Sequence, residues 1–161
     1  MARQLPIEIF MPPNILKAKV GSAIGGIDMA ALKRAEAAME NLKTEFNDWL
    51  SEDVAKLGET RDRFDAAPTL AAREDLFRAA HDLKGQADTF GYPMIARIAA
   101  SLTKMLDGVP ASSAVPVGLV DAHVAAIRVV FRDKIKLPTD QIAMALTVEL
   151  EARVAEALSG Q

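Results

Sequence analysis

His81, Lys84 and Gly85 are the residues of this chain whose types and spacing suit chemistry. If they share a helix, positions i, i+3 and i+4 are surface neighbours. The imidazole of His81 then stands beside the ammonium of Lys84 and over the bare backbone of Gly85. A glycine inside a helix costs about 1 kcal/mol relative to alanine, so Gly85 asks for a reason. Clearance for something that must approach His81 closely is such a reason. The cation at i+3 makes that something negatively charged. A neutral imidazole is a good nucleophile near pH 7, and an accessible one beside a positive charge suits capture of a phosphoryl group.

The element that must position these residues is a helix expected over residues 70–90. Its apolar stripe is Leu76, Ala80, Leu83, Ala87 and Phe90. At 100° per residue the stripe falls within about 40° of Leu76, whereas His81 lies near ~140°, Gly85 near ~180° and Arg78 near ~200°. The histidine therefore points away from the core. Phe77, near ~100°, falls on the boundary, where it either joins an exposed docking patch or widens the core stripe. Gly91 and Pro93 end this helix and start the next.

The flanks are also helical. Residues 1–27 hold Pro6, Pro12, Pro13, Gly21, Gly25 and Gly26, which defeats a long helix. Their apolar residues, Ile7, Ile9 and Phe10 among them, argue against simple disorder, so the segment reads as a flexible tail or as an irregular, extended arm that packs on its own domain or on a second subunit. Asp28 is the expected N-cap of the first helix. Leu32, Ala35, Met39, Leu42, Phe46, Trp49 and Leu50 repeat with helical spacing, and Val54, Leu57 and Phe64 continue it. That stretch is one long helix or two joined near Ser51 or Gly58. Pro68 breaks it. Beyond Pro93 a helix buries Ile95, Ile98, Ala99, Leu102, Met105 and Leu106, and residues 108–116 form a loop. Another helix over 117–135 is built on Val120, Val124, Ile127 and Phe131. After Pro138, Thr139 caps a last helix carrying Ile142, Leu146, Leu150, Val154 and Leu158. Amphipathic helices with short connections bury their stripes against one another, so residues 28–158 are expected to form an antiparallel bundle.

Composition agrees and excludes several classes of function. The chain of 161 residues is half hydrophobic yet only 5% aromatic, which favours close-packed helices over a sheet. Its net charge of −3 comes without a basic stripe, so nucleic acid is not an expected partner. Cysteine is absent, which rules out disulfides, zinc–thiolate sites and thiol catalysis and suits a reducing compartment. No apolar run approaches the ~20 residues that span a bilayer, and the N-terminus lacks the core of a secretory signal. A cytoplasmic protein with no membrane partner is the expectation.

The order His-x-Leu-Lys-Gly with a second glycine ten residues after the histidine, carried by His81, Leu83, Lys84, Gly85 and Gly91, resembles the signature of histidine phosphotransfer (HPt) domains. The resemblance implies an all-α fold, an antiparallel four-helix bundle, here with an additional C-terminal helix and the irregular N-terminal arm. It implies a phosphorelay carrier in which His81 accepts a phosphoryl group from a receiver-domain aspartate and passes it to another receiver. Lys84 and Gly85 would assist. The implied partners are response-regulator receiver domains, with a hybrid sensor histidine kinase as a further candidate. The protein would need no cofactor of its own, Mg²⁺ being supplied by the receiver. Gln86 and Asp88 stand where the family usually has small or neutral residues, which bears on partner choice. With Phe77 and Arg78 they are the docking candidates. Arg78 and Arg97 are scattered surface charges that also offer positive field to the site.

Rival chemistries fare worse on the residues. The pair His81-Asp82 resembles the metal-binding dipeptide of HD-type phosphohydrolases, but that site needs further ligands and no histidine precedes His81. His-Asp-Leu-Lys also resembles the phosphoacceptor box of sensor kinases. There Gly85 and Gln86 replace the asparagine or threonine and the proline expected next, and no glycine-rich nucleotide motif is present after the bundle. Autokinase activity is therefore not expected. A helical adaptor that binds receiver or kinase domains without transferring phosphate is the alternative, and the intact His81, Lys84 and Gly85 count against it. His123, in a nearly continuous apolar stretch, reads as a buried histidine bonded to a neighbour.

Overall fold

The computed structural model describes residues 29–160, the side chain of Lys43 excepted. The arm over 1–27 and the Asp28 cap lie outside the described residues. Five helices succeed one another, α1 (Met29–Ala66), α2 (Leu70–Ala87), α3 (Pro93–Gly108), α4 (Val117–Arg132) and α5 (Gln141–Ser159), with no strand among the described residues. By contacts the chain divides into two units, residues 1–39 and 40–161. The described part of the first is the opening turns of α1, exposed throughout.

In the second unit α3 is the central helix, in contact with α2, α4 and α5, and α5 also lies against α4. The expected stripe of α3 is buried in full, from Ile95 through Leu106. Residues 40–66 of α1 complete an all-α bundle. Leu50, Val54, Leu57 and Phe64 enter the core, Phe46 stacks on Phe90, and the Arg61 guanidinium donates to Asp121 of α4 at 2.6 Å. Neither Ser51 nor Gly58 interrupts α1, which is one continuous helix. Gly58 instead lies beneath the Arg128 guanidinium of α4, whose tip occupies the space a Cβ would take.

Two expectations about stripes need correction. On α1 the pattern begins at Leu32, but Leu32, Met39, Leu42 and Trp49 are exposed, and Leu50 is the first buried residue. Periodicity marks an apolar face without saying what covers it. On α5 the cap is Asp140 rather than Thr139, its carboxylate accepting from the amides of Ile142 and Ala143 at 3.0 and 2.9 Å. Ile142 is exposed, and Ala143, Thr147, Leu150 and Val154 form the buried face. A small residue and a threonine allow close approach to α3. The Thr147 hydroxyl is satisfied by the Ala143 carbonyl at 2.7 Å, so its burial costs little.

The ends of α2 and α4 are built alike. After α2, Tyr92 N–H reaches the Ala87 carbonyl and Gly91 N–H the Asp88 carbonyl, with Gly91 at φ +81°. This is a Schellman close, and it carries the last turn of α2 to Phe90. After α4, Ile135 N–H bonds to Val130 and Lys134 N–H to Phe131, so Lys134 takes the left-handed position at φ 54°. A side chain there is strained by roughly 1 kcal/mol. Lys134→Gly should therefore raise the melting temperature by a few degrees, as read by circular dichroism. A lower melting temperature would contradict this account of the turn.

Candidate functional site

The orientation of His81 is set by how α2 is seated. Leu76, Ala80, Leu83 and Ala87 have no exposed surface, and Ala79 is 2% exposed. Each fully buried leucine contributes roughly 1.5–3 kcal/mol, enough to fix the rotation of the helix about its axis. His81 then stands on the opposite side, exposed. Thr69 caps the helix, its hydroxyl accepting from Ala72 N–H at 3.1 Å, so the register of α2 is set from its first turn.

On α2 itself, Phe77, Lys84 and Gly85 lie about one turn from His81. Phe77, one turn earlier, is half-buried against the core and stacks on the His81 ring with centroids 5.9 Å apart and planes 24° from parallel. Phe77 thus widens the core stripe, and its ring contact restrains the imidazole. Lys84 is exposed, and among the described residues it has no ion pair, Asp88 at i+4 included. Gly85 is exposed, and a Cβ built on it meets nothing within 4 Å. The fold itself therefore has no use for the missing side chain. On the side of α1, Lys56 Nζ lies 3.6 Å from Asp82, and burial, with Asp82 and Glu52 nearby, raises the pKa of Asp53 against the pull of Lys56.

The arginines are committed elsewhere. Arg78 pairs with Glu74 one turn back on the exposed surface. Arg97 donates twice to Glu151, at 2.7 and 2.6 Å, tying α3 to α5. That bond raises the pKa of Arg97 and lowers that of Glu151. Gln86 and Asp88 are both exposed, but only Asp88 shares the face of His81. At 100° per residue Gln86 falls about 140° around α2, on the flank of Asp82.

Sequence reasoning missed Arg73. Its guanidinium lies across the C-terminal end of α3, Nε donating to the Leu106 carbonyl at 2.8 Å and Nη2 to Leu106 and Val109, where a cation is favoured by otherwise unpaired carbonyls. Beside it an open cleft of about 520 Å³ is lined by Leu70, Arg73, Glu74, Phe77, Val109 and Pro110, among others. It reaches the ring that stacks on His81. The only hint in the sequence was a lone arginine on the half-apolar first turns of α2.

His123 is fully buried. Its Nδ1 lies 2.7 Å from the Leu119 carbonyl and its Nε2 3.0 Å from Ser101 Oγ. Burial lowers its pKa, partly offset by the bond to Leu119. It is the bonded core histidine its surroundings suggested, and it is closed to a partner.

An exposed histidine thus stands at mid-helix of an all-α bundle, with an exposed lysine and an unobstructed glycine on the next turn. A family model for the Hpt domain matches residues 32–157, and the chain belongs to that family. Hpt domains are phosphocarriers, and the family supports a histidine phosphotransfer role in phosphorelays for this chain. Comparison with curated proteins and with solved structures gave no match. No helix of the described residues is long and apolar enough to cross a membrane.

Proposed function

We propose that His81 is the phosphoacceptor and that it relays a phosphoryl group between two receiver-domain aspartates. A ring nitrogen attacks phosphorus in line, the new P–N bond forms as the P–O bond to the donor aspartate breaks, and the carboxylate leaves. Transfer onward reverses these steps on a second receiver. Lys84 offsets charge on the phosphoryl oxygens, a contact that strengthens as docking excludes water. Mg²⁺ is assigned to the acidic pocket of the receiver, and the carrier has no autokinase activity of its own. The observation that carries this reading is the open surface over Gly85 beside an exposed His81 and a lysine with no ion pair among the described residues. The cleft next to Phe77 supports docking on the same side.

The test is incubation with a phosphorylated receiver and Mg²⁺, then mapping of the label. Acid-labile, base-stable phosphate at position 81 is expected. Binding of the receiver with no label transferred would leave the non-transferring adaptor, and labelling by ATP alone would contradict the carrier.

Lys84 separates a chemical from a structural cation. Lys84→Ala should slow transfer about tenfold or more, since a charge-assisted hydrogen bond contributes ~1.5–3 kcal/mol. Stability should move by no more than about 0.5 kcal/mol, as for surface substitutions generally. Lys84→Arg should restore the rate only in part, its planar fork placing the charge differently. Rates equal to those of the unmodified protein in stopped-flow transfer would remove Lys84 from the mechanism.

A further inference from the structure

Among the described residues neither ring nitrogen of His81 makes a hydrogen bond, whereas both nitrogens of His123 are engaged. A hydrogen bond would steady the imidazole but occupy a nitrogen that must attack. Contact through the ring face steadies it and leaves both nitrogens free, because their lone pair and N–H bond lie in the ring plane. Phe77 provides that contact. Its ring lies 24° from parallel to the imidazole with centroids 5.9 Å apart, the separation of an offset stack. Phe77 is itself seated, half-buried against the core, and one turn before it Arg73 is held by the Leu106 carbonyl at the end of α3. The two sides of His81 along α2 therefore differ. Phe77 at i−4 fills one side, and Gly85 at i+4 leaves the other open.

We propose that Phe77 is a positioning residue for phosphoryl transfer, its ring setting the plane of the His81 imidazole and so the line along which a docked phosphoryl group is attacked. The inference rests on His81 being the phosphoacceptor. In-line attack places phosphorus in the ring plane, on the axis of the reacting nitrogen's lone pair and opposite the leaving carboxylate oxygen. A ring that turns freely meets that line in only a fraction of its rotamers. Histidine has about three wells at χ1 and two at χ2, so holding one productive combination speeds a docked complex by at most about sixfold. The gain falls on the transfer step, not on docking, because Phe77 acts through His81.

Phe77→Leu keeps an apolar side chain against the core and removes the ring. With a phosphorylated receiver that labels the unmodified chain, it should slow transfer at saturating receiver by about three- to sixfold and leave the half-saturating concentration unchanged. Phe77→Tyr, which retains the ring, should recover most of the rate. In nuclear magnetic resonance the carbon-bound ring protons of His81 should carry a ring-current shift that Phe77→Leu loses and Phe77→Tyr keeps. Phosphoramidate, a small donor that exchanges its P–N bond to ammonia for one to the imidazole, needs no docking and should still label both variants. A raised half-saturating concentration with an unchanged saturating rate would make Phe77 a docking residue and overturn the proposal. So would loss of phosphoramidate labelling in folded Phe77→Leu, since the ring nitrogen itself would then be impaired. An unmodified chain without the ring-current shift overturns it however the variants fold. No label on the unmodified chain from either donor is a different result, and it would overturn the reading of His81 as acceptor.

Discussion

His81→Gln is expected to fold with an unchanged melting temperature and to accept no phosphate from a labelled receiver. His81 is exposed on the side of α2 opposite its buried stripe, so the substitution removes no core contact beyond the ring stacking with Phe77. Glutamine keeps the bulk of the side chain and lacks the nucleophilic nitrogen, so the loss should be complete rather than graded. His123→Gln is the contrasting variant. It should be destabilised by about 1–3 kcal/mol, because a fully buried ring with two hydrogen bonds is disturbed, yet remain phosphorylated wherever it is folded. Phosphate retained on the His81 variant at the level of the unmodified protein would place the acceptor elsewhere.

Gly85→Gln should have the largest effect among substitutions that leave the histidine intact. Nothing lies within 4 Å of a Cβ at this position, so the isolated protein has room for a longer side chain. Removing a helix-interior glycine should even stabilise α2 by roughly 0.5–1 kcal/mol. The same side chain would occupy the space beside the imidazole through which a receiver must approach. Transfer is therefore expected to fall by about a hundredfold or more, equivalent to some 2.7 kcal/mol or more of lost transition-state contact. Melting temperature should rise or stay constant. Gly85→Ala, which adds one methyl group, should fall between the two. Measuring both properties on one sample distinguishes the explanations, since a faster or unchanged rate would show that the glycine does not serve access.

Elements read from local sequence came through because their causes are local. The face on which His81, Lys84 and Gly85 sit depends only on the helical repeat and on Leu76, Ala80, Leu83 and Ala87 being apolar. The stop at Gly91 depends on one residue that accepts φ +81°. The burial of His123 is a consequence of the apolar residues on both sides of it. What a one-dimensional pattern leaves open is the partner. The distinction between Ile142 and Ala143 as the inward residue of α5 is a matter of one position, settled by how closely α5 approaches α3. Ser101 as the partner of His123 lies 22 residues away, and no periodicity points to it.

Spacing along the chain was enough to show that it is helical, that one histidine faces outward beside a cation and a glycine, and that the other faces inward. These are consequences of spacing within single helices. Arg78 is engaged within α2 by Glu74, while the tertiary contact of α3 with α5 engages Arg97 with Glu151, so that Lys84 is a cation near His81 with no ion pair among the described residues. The burial of α1 from Leu50 onward, with Leu32, Met39, Leu42 and Trp49 exposed, is likewise a tertiary result. Both depend on which helices meet, because ion pairing and burial arise between surfaces brought together by the fold rather than within one stretch of chain.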